Sequence, residues 1–168
     1  GIIHRDLKPT NVLVAEIDGQ PVAKVIDFGV AKAVSHKLTD GTVYTQYSQM
    51  IGTPLYMSPE QAALGVVDVD TRSDVYSLGV LLYELLTGST PFDPKRLKQI
   101  GFDEMRRVIR EEEPQRPSAM ISTLRAEALS TLADRRAVDP RRLSPALTGE
   151  LDWITMKALE KDRSRRYE

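Results

Sequence analysis

The stretch VYSLGVLLYELLTG at positions 75–88 constrains the fold more than any other part of the chain. Its apolar residues leave no wide polar face, so a helix built from it must be covered on most sides by other elements. Thr71 is placed to cap this helix, with Asp74 at its third position, and Gly88 followed by Pro91 stops it. A central helix over about 72–87, buried in this way, calls for a fold in which other helices pack around it. Ser77, Tyr83 and Glu84 interrupt the apolar run, which is too short for a bilayer span of about 20 residues.

The covering elements are legible by period. Phe102, Met105, Val108 and Ile109 are spaced for an amphipathic helix that ends before Pro114, and Leu151, Ile154, Ala158 and Leu159 for another near the end. Trp153 and the Leu and Val stripes read as core. Residues 121–148 are expected to be helical in part, with Pro140 and Pro145 as breaks. Towards the start the period changes: NVLV (11–14) and VAKVIDF (22–28) are β-branched runs separated by Asp18-Gly19 and Pro21, which predicts a hairpin. Residues 30–58 are rich in Thr, Ser, Tyr and Gly without a period and read as a long loop, with six hydroxyl side chains between positions 39 and 48. The fold class expected is α+β, mainly α-helical, with one short hairpin.

Charge and cysteine content narrow the chemistry. With 23 basic and 24 acidic side chains the net charge is -1, so no global field recruits nucleic acid or an anionic membrane surface. The arginine pairs 106–107, 135–136, 141–142 and 165–166 stand among Glu111, Glu112, Glu113, Asp134, Asp139 and Asp162, which is mixed-charge surface and not a nucleic-acid face. The absence of cysteine excludes disulfides, thiolate metal sites and a cysteine nucleophile, and fits a reducing compartment. A cytoplasmic location is expected, with any membrane tether lying outside these residues.

The residues that carry chemistry come early, as HRDLKPTN at 4–11 and DFG at 27–29. Moving a phosphoryl group needs charge compensation more than covalent chemistry: metal ions on the phosphates, a cation beside the transferred group, and a carboxylate aimed at the attacking hydroxyl. Asp6 is placed to accept the hydroxyl proton, Lys8 to lie beside the γ-phosphate, and Asn11 and Asp27 to ligate Mg²⁺ through hard oxygens. The hairpin that begins at Asn11 returns Asp27 to the same edge. His4 reads as a packed structural imidazole with no part in proton transfer.

These residues resemble the eukaryotic-type serine/threonine protein kinases, whose H-R-D-L-x-x-x-N and D-F-G signatures both stand intact here. GTPLYMSPE (52–60) resembles the family's segment ending in A-P-E, with Ser58 in place of Ala, and DVYSLGVLLYELLTGSTPF (74–92) resembles its central helix. The resemblance runs from the first residue to almost the last. It implies that 1–168 is a partial kinase domain, the larger C-terminal lobe, with catalytic loop 4–11, activation segment 27–60, central helix and helical remainder 88–168. The smaller N-terminal lobe is expected to be absent, since no G-x-G-x-x-G stretch occurs. By itself such a fragment is expected to be inactive, to bind ATP weakly, and to leave apolar surface of the central helix uncovered.

The resemblance also implies ATP with Mg²⁺, or Mn²⁺ in its place, and protein substrates bearing Ser or Thr hydroxyls. KPT at 8–10 and Thr53 are similar to the serine/threonine branch, and EEEPQRPS with LDWITMKALEKDRSRRY to bacterial members. Residue by residue, Asp74 is implied to hold the backbone of the His4-Arg5-Asp6 turn, Glu60 to pair with Arg166, and Thr53 to bridge Asp6 and Lys8. Arg5 is implied to meet a phosphate on the activation segment, at Thr42, Thr45 or Ser48. A kinase-like scaffold that signals by docking is disfavoured by the intact Asp6, Lys8, Asn11 and Asp27. A small-molecule phosphotransferase is disfavoured by the GTPLYMSPE platform, which suits an extended peptide.

Overall fold

The computed structural model describes residues 2–28, 54–63 and 69–168, and the expectations attached to Gly29, Thr42, Thr45, Ser48 and Thr53 lie outside the described residues. Near the start, β1 (Val12–Ile17) and β2 (Gln20–Val25) pair antiparallel. The register sets Val12 opposite Val25 and Ile17 opposite Gln20. Asp18 and Gly19 form the two-residue turn with φ of 53° and 73°, the positive pair that lets a tight hairpin follow the strand twist. The strands differ from expectation at both ends. Asn11 closes a 3₁₀ turn (Pro9–Asn11) and stands before β1, Pro21 is inside β2, and Asp27 and Phe28 lie beyond it. Pro21 faces Glu16 in the pair next to the Ile17–Gln20 pair that closes the turn, a position whose nitrogen points away from β1, so Pro21 forfeits no ladder bond.

The helical body begins with α1 (Pro59–Ala62) and α2 (Thr71–Thr87). The cap of α2 is Asp70 and not Thr71: the Asp70 carboxylate accepts from Arg72 N at 2.9 Å. Asp70 also takes the Arg72 guanidinium at 2.5 Å and Arg163 at 3.3 Å, contacts a threonine cannot make. The Arg72 hydrogen bond holds the Asp70 carboxyl down at about 2. At the other end Gly88 adopts φ 77° and donates to Glu84 O at 2.8 Å. Arg136 adds its guanidinium to the terminal carbonyls, reaching Leu86 O at 2.5 Å and also Leu85 O.

Six further helices follow: α3 (Pro94–Gln99), α4 (Phe102–Glu111), α5 (Pro117–Ser122), α6 (Ala126–Asp134), α7 (Pro140–Leu147) and α8 (Glu150–Ala158). Tyr76, Val80 and Tyr83 of α2 pack with Leu159; Met105, Val108 and Ile109 of α4 pack with Ala62, Phe92 and Leu97; Ile121, Leu132, Ala133, Leu143 and Leu147 form a third cluster. α8 lies close on α2 at Gly79, where a Cβ would stand 2.8 Å from Ala158 Cβ. No helix among the described residues is long and apolar enough to cross a membrane.

Three expectations are corrected here. The central helix is not buried all round: Leu78 and Leu85 are 50% and 71% exposed, which is the uncovered apolar surface expected of it in this chain. Trp153 is not core but 61% exposed, meeting Tyr167 edge-on at 6.2 Å with Lys157 Nζ over both rings. The buried side of α8 is carried by Thr155, Ala158 and Asp152, which accepts from Ser118 of α5; the small Ala158 lets the helix approach α2 at Gly79, and the large indole lies on the exposed side. Finally, Pro140 starts α7 and Pro145 lies inside it. In so short a helix Pro145 forgoes a single backbone bond, which leaves the element intact.

Candidate active site

The early loop is held from the core. Asp74, in the first turn of α2, accepts from His4 N at 2.8 Å and from Arg5 N at 2.9 Å, one amide on each carboxylate oxygen. Arg5 has φ 67°, a left-handed conformation that a side chain disfavours by about 1–2 kcal/mol and that the two flanking hydrogen bonds of its peptide groups sustain. His4 is buried and uses both ring nitrogens. Nδ1 accepts from Asp6 N at 3.3 Å, so Nε2 carries the proton and donates to Ile26 O at 2.8 Å.

That frame gathers the polar side chains. Lys8 Nζ donates to Asp6 Oδ2 at 2.8 Å, and both side chains are partly open to solvent. Asn11 Nδ2 donates to Asp6 O at 2.8 Å and lies 3.5 Å from Asp6 Oδ2. Ile26 N donates to Asn11 O at 2.9 Å, which closes the hairpin over the loop. Asp27 is exposed, with φ 58°, and stands between Ile26, bonded to His4 and Asn11, and Phe28, whose ring is 5.0 Å from that of His4. Asp6 thus contacts both Lys8 and Asn11, and Asp27 directly follows Ile26, whose backbone is bonded to His4 and to Asn11.

The donor set decides which ion fits. Among the described residues no group of three or more His, Cys, Asp or Glu side chains is spaced to hold a metal alone. Carboxylate and amide oxygens at Asp27 and Asn11 suit a hard cation that completes its shell with water and phosphate oxygens, which is the habit of Mg²⁺.

A second polar cluster secures the segment that follows. Glu60 and Arg166 form a two-pronged pair at 2.7 and 2.9 Å, with side chains 5% and 0% exposed. Arg166 places all five of its donors: the remaining three reach Glu160 O at 2.7 Å, Arg72 O at 2.9 Å and Lys161 O at 3.1 Å. Its guanidinium lies 5.0 Å from the Tyr76 ring. Ser73 Oγ donates to Glu60 at 2.5 Å. Burial alone would raise the Glu60 carboxyl, but the hydrogen bonds from Arg166 and Ser73, with the Arg166 charge, outweigh it and hold the group below its ordinary value.

Between the two clusters lies a small cleft lined by Arg5, Asp6, Leu7, Tyr56, Met57, Gln61 and Ser77. Tyr56 is pinned to α2 from both ends, its hydroxyl donating to Glu84 at 2.6 Å and its carbonyl accepting from Ser77 Oγ at 2.8 Å. Burial, then the Glu84 contact, pushes the Tyr56 hydroxyl well above its ordinary value, so it stays a donor. Gln61 donates to Arg5 O at 2.8 Å and was not foreseen. The signal was present: Ser58-x-x-Gln61 before a helix is the pattern of a capping box, which the structure forms.

Among the described residues a helical body and one hairpin beside the loop that carries Asp6 fit a kinase-like fold. The protein kinase domain family model matches residues 1–167, and the chain belongs to that family. It is 39% identical over its full length to a probable serine/threonine-protein kinase of Streptomyces coelicolor. It is 38% identical, again over its full length, to the serine/threonine-protein kinase PknB of Mycobacterium tuberculosis. Over 98% of the chain it is 37% identical to the serine/threonine-protein kinase pkn3 of Myxococcus xanthus. The chain spans 20% of the length of the Streptomyces relative, 21% of PknB and 29% of pkn3.

Proposed function

We propose that this chain carries the catalytic loop of a bacterial serine/threonine protein kinase that moves the γ-phosphate of ATP to Ser or Thr hydroxyls of proteins. The observation that supports it most is the contact of Asp6 with both Lys8 and Asn11 on a turn held by Asp74. In this reading Asp6 takes the proton of the attacking hydroxyl while a new oxygen–phosphorus bond forms and the bond to ADP breaks. Lys8, carried beside Asp6, faces the charge on the transferred group. Asn11 and Asp27 would hold Mg²⁺, or Mn²⁺, which when bound supplies charge compensation on the phosphates.

The same reading takes residues 4–11 as the catalytic loop, 27–60 as the activation segment, and the whole of 1–168 as the C-terminal lobe. It assigns Thr53 to the Asp6–Lys8 pair, and Thr42, Thr45 or Ser48 as the phosphate-bearing partner of Arg5. The compartment is cytoplasmic, and residues 1–168 alone bind ATP weakly and turn over negligibly.

The test is phosphorylation of a generic Ser/Thr protein substrate by the full-length protein with radiolabelled ATP. Asp6→Asn is expected to lower kcat by about 10²–10⁴-fold while leaving ATP binding nearly intact, the range of a removed general base. Asp27→Asn is expected to weaken Mg²⁺-dependent nucleotide binding as well. Unchanged turnover in Asp6→Asn would refute the assignment.

A further inference from the structure

We propose that Gln61 is a positioning residue for the transfer step, its side-chain amide fixing the peptide plane that carries Asp6; this rests on the reading of the site given above. Gln61 works in two directions at once. Its Oε1 accepts from Ser58 N at 3.0 Å and from Ser58 Oγ at 3.2 Å, closing the cap of α1. Its Nε2 donates to Arg5 O at 2.8 Å, across 56 positions of sequence. Because Ser58 N can only donate and Arg5 O can only accept, the orientation of the amide is determined.

The bond falls where Asp6 is aimed. Arg5 O belongs to the peptide group joining Arg5 to Asp6, and the other end of that group, Asp6 N, donates to His4 Nδ1 at 3.3 Å. Gln61 and His4 therefore hold the two ends of one plane, and Asp74 holds the plane before it through Arg5 N. With Arg5 at φ 67°, loss of the carbonyl anchor lets this plane relax towards commoner conformations and turns the Asp6 carboxylate. One planar group thus couples the cap of α1 to the direction of the carboxylate, and it lines the same cleft as Asp6.

Two substitutions separate positioning from capping in the full-length protein. Gln61→Glu keeps the acceptor that Ser58 needs, and glutamate is a favoured capping-box residue, but it presents an oxygen to the Arg5 carbonyl. Gln61→Lys reaches the carbonyl with a donor and cannot accept from Ser58. Near neutral pH, Gln61→Glu is expected to lower kcat about tenfold with the nucleotide KM unchanged, while Gln61→Lys stays within about threefold of wild type, on the scale of small misplacements of a reacting group. The deficit of Gln61→Glu relative to wild type should shrink as pH falls towards about 4, where the new carboxyl gains a proton and can donate.

A role confined to capping α1 predicts the reverse order, with Glu active, Lys impaired and no pH dependence. That result, or equal loss in both variants at every pH, overturns the proposal. Should Gln61→Glu not fold, Gln61→Lys decides alone: retained kcat supports positioning and a tenfold loss refutes it. A wild-type protein that transfers no phosphate brings down the reading of the site itself, whereas an active wild type matched by Gln61→Glu at every pH brings down only the role of Gln61.

Discussion

Replacing Arg166 by Met removes a cation that the fold encloses completely, and the size of the effect follows from what is left behind. Glu60 keeps one side-chain donor, Ser73 Oγ, against the three polar contacts it has now. Three backbone carbonyls, of Glu160, Arg72 and Lys161, lose a donor together. Stripping one partner from a buried ion pair costs about 3–5 kcal/mol, mostly the penalty of the orphaned charge. At about 2–4 °C per kcal/mol for a domain of this size, Tm should fall by about 6–20 °C.

Urea unfolding followed by circular dichroism measures the change, and Glu60→Gln in the Arg166→Met background isolates its cause. If the penalty is the uncompensated carboxylate, the double variant is more stable than Arg166→Met by at least about 1 kcal/mol. Acidity gives an independent check. In wild type the Glu60 carboxyl is held low, so its contribution is complete at neutral pH and is lost as pH falls through that lowered value. In Arg166→Met only burial and Ser73 remain, the carboxyl rises, and protonation relieves the variant as pH falls. The gap between the two proteins must therefore narrow towards acid pH. A loss under about 1 kcal/mol at neutral pH, or a double variant no more stable than Arg166→Met, would refute the reasoning.

Two further outcomes test the packing around the same helix. Gly79→Ala places a methyl 2.8 Å from Ala158 Cβ, 3.2 Å from Leu159 Cδ2 and 3.3 Å from the Ala158 carbonyl carbon. Overpacking of about 1–3 kcal/mol should exceed the roughly 1 kcal/mol gained in helix propensity, so a variant with a higher urea midpoint would count against close approach of α2 and α8. Lys161 donates to Ile109 O at 2.7 Å with its ammonium 4.8 Å from the Phe92 ring, and burial pushes it from 10.5 down to about 8; Arg166 adds to the shift, Glu112 and Glu113 oppose it. The unfolded chain keeps this proton to higher pH than the folded one, so stability should rise as pH climbs from about 8 towards 10. Thermal melts of wild type and Lys161→Met across that window should diverge, and parallel curves would remove Lys161 as the source.

What could be read from the chain beforehand was local. Asp6, Lys8 and Asn11 lie within one turn's reach in sequence, and a hairpin with Asp-Gly at its tip returns Asp27 by simple counting. The stop of α2 at Gly88 followed from backbone sterics that only glycine meets cheaply. Local pattern failed where neighbours compete or partners are distant. Asp70 and Thr71 are both good caps, and a guanidinium from Arg163, far along the chain, helps select the first. Trp153 read as core because side-chain size dominates a hydrophobic stripe, whereas the approach of α8 to Gly79 selects small residues. The bond from Gln61 to Arg5 and that from Tyr56 to Glu84 join elements that no window of sequence holds together.

The carboxylate of Asp74 gives the loop a further property. Both backbone amides it grips belong to the reactive turn, yet Asp74 itself is part of the longest helix of the described residues. The turn is thereby tied directly to that helix, so a tilt or slide of the helix is passed on to the backbone that carries the acid at position 6. Substitutions far from the phosphate path, in the packing beneath the helix, would then be felt as misdirected chemistry before they are felt as lost stability.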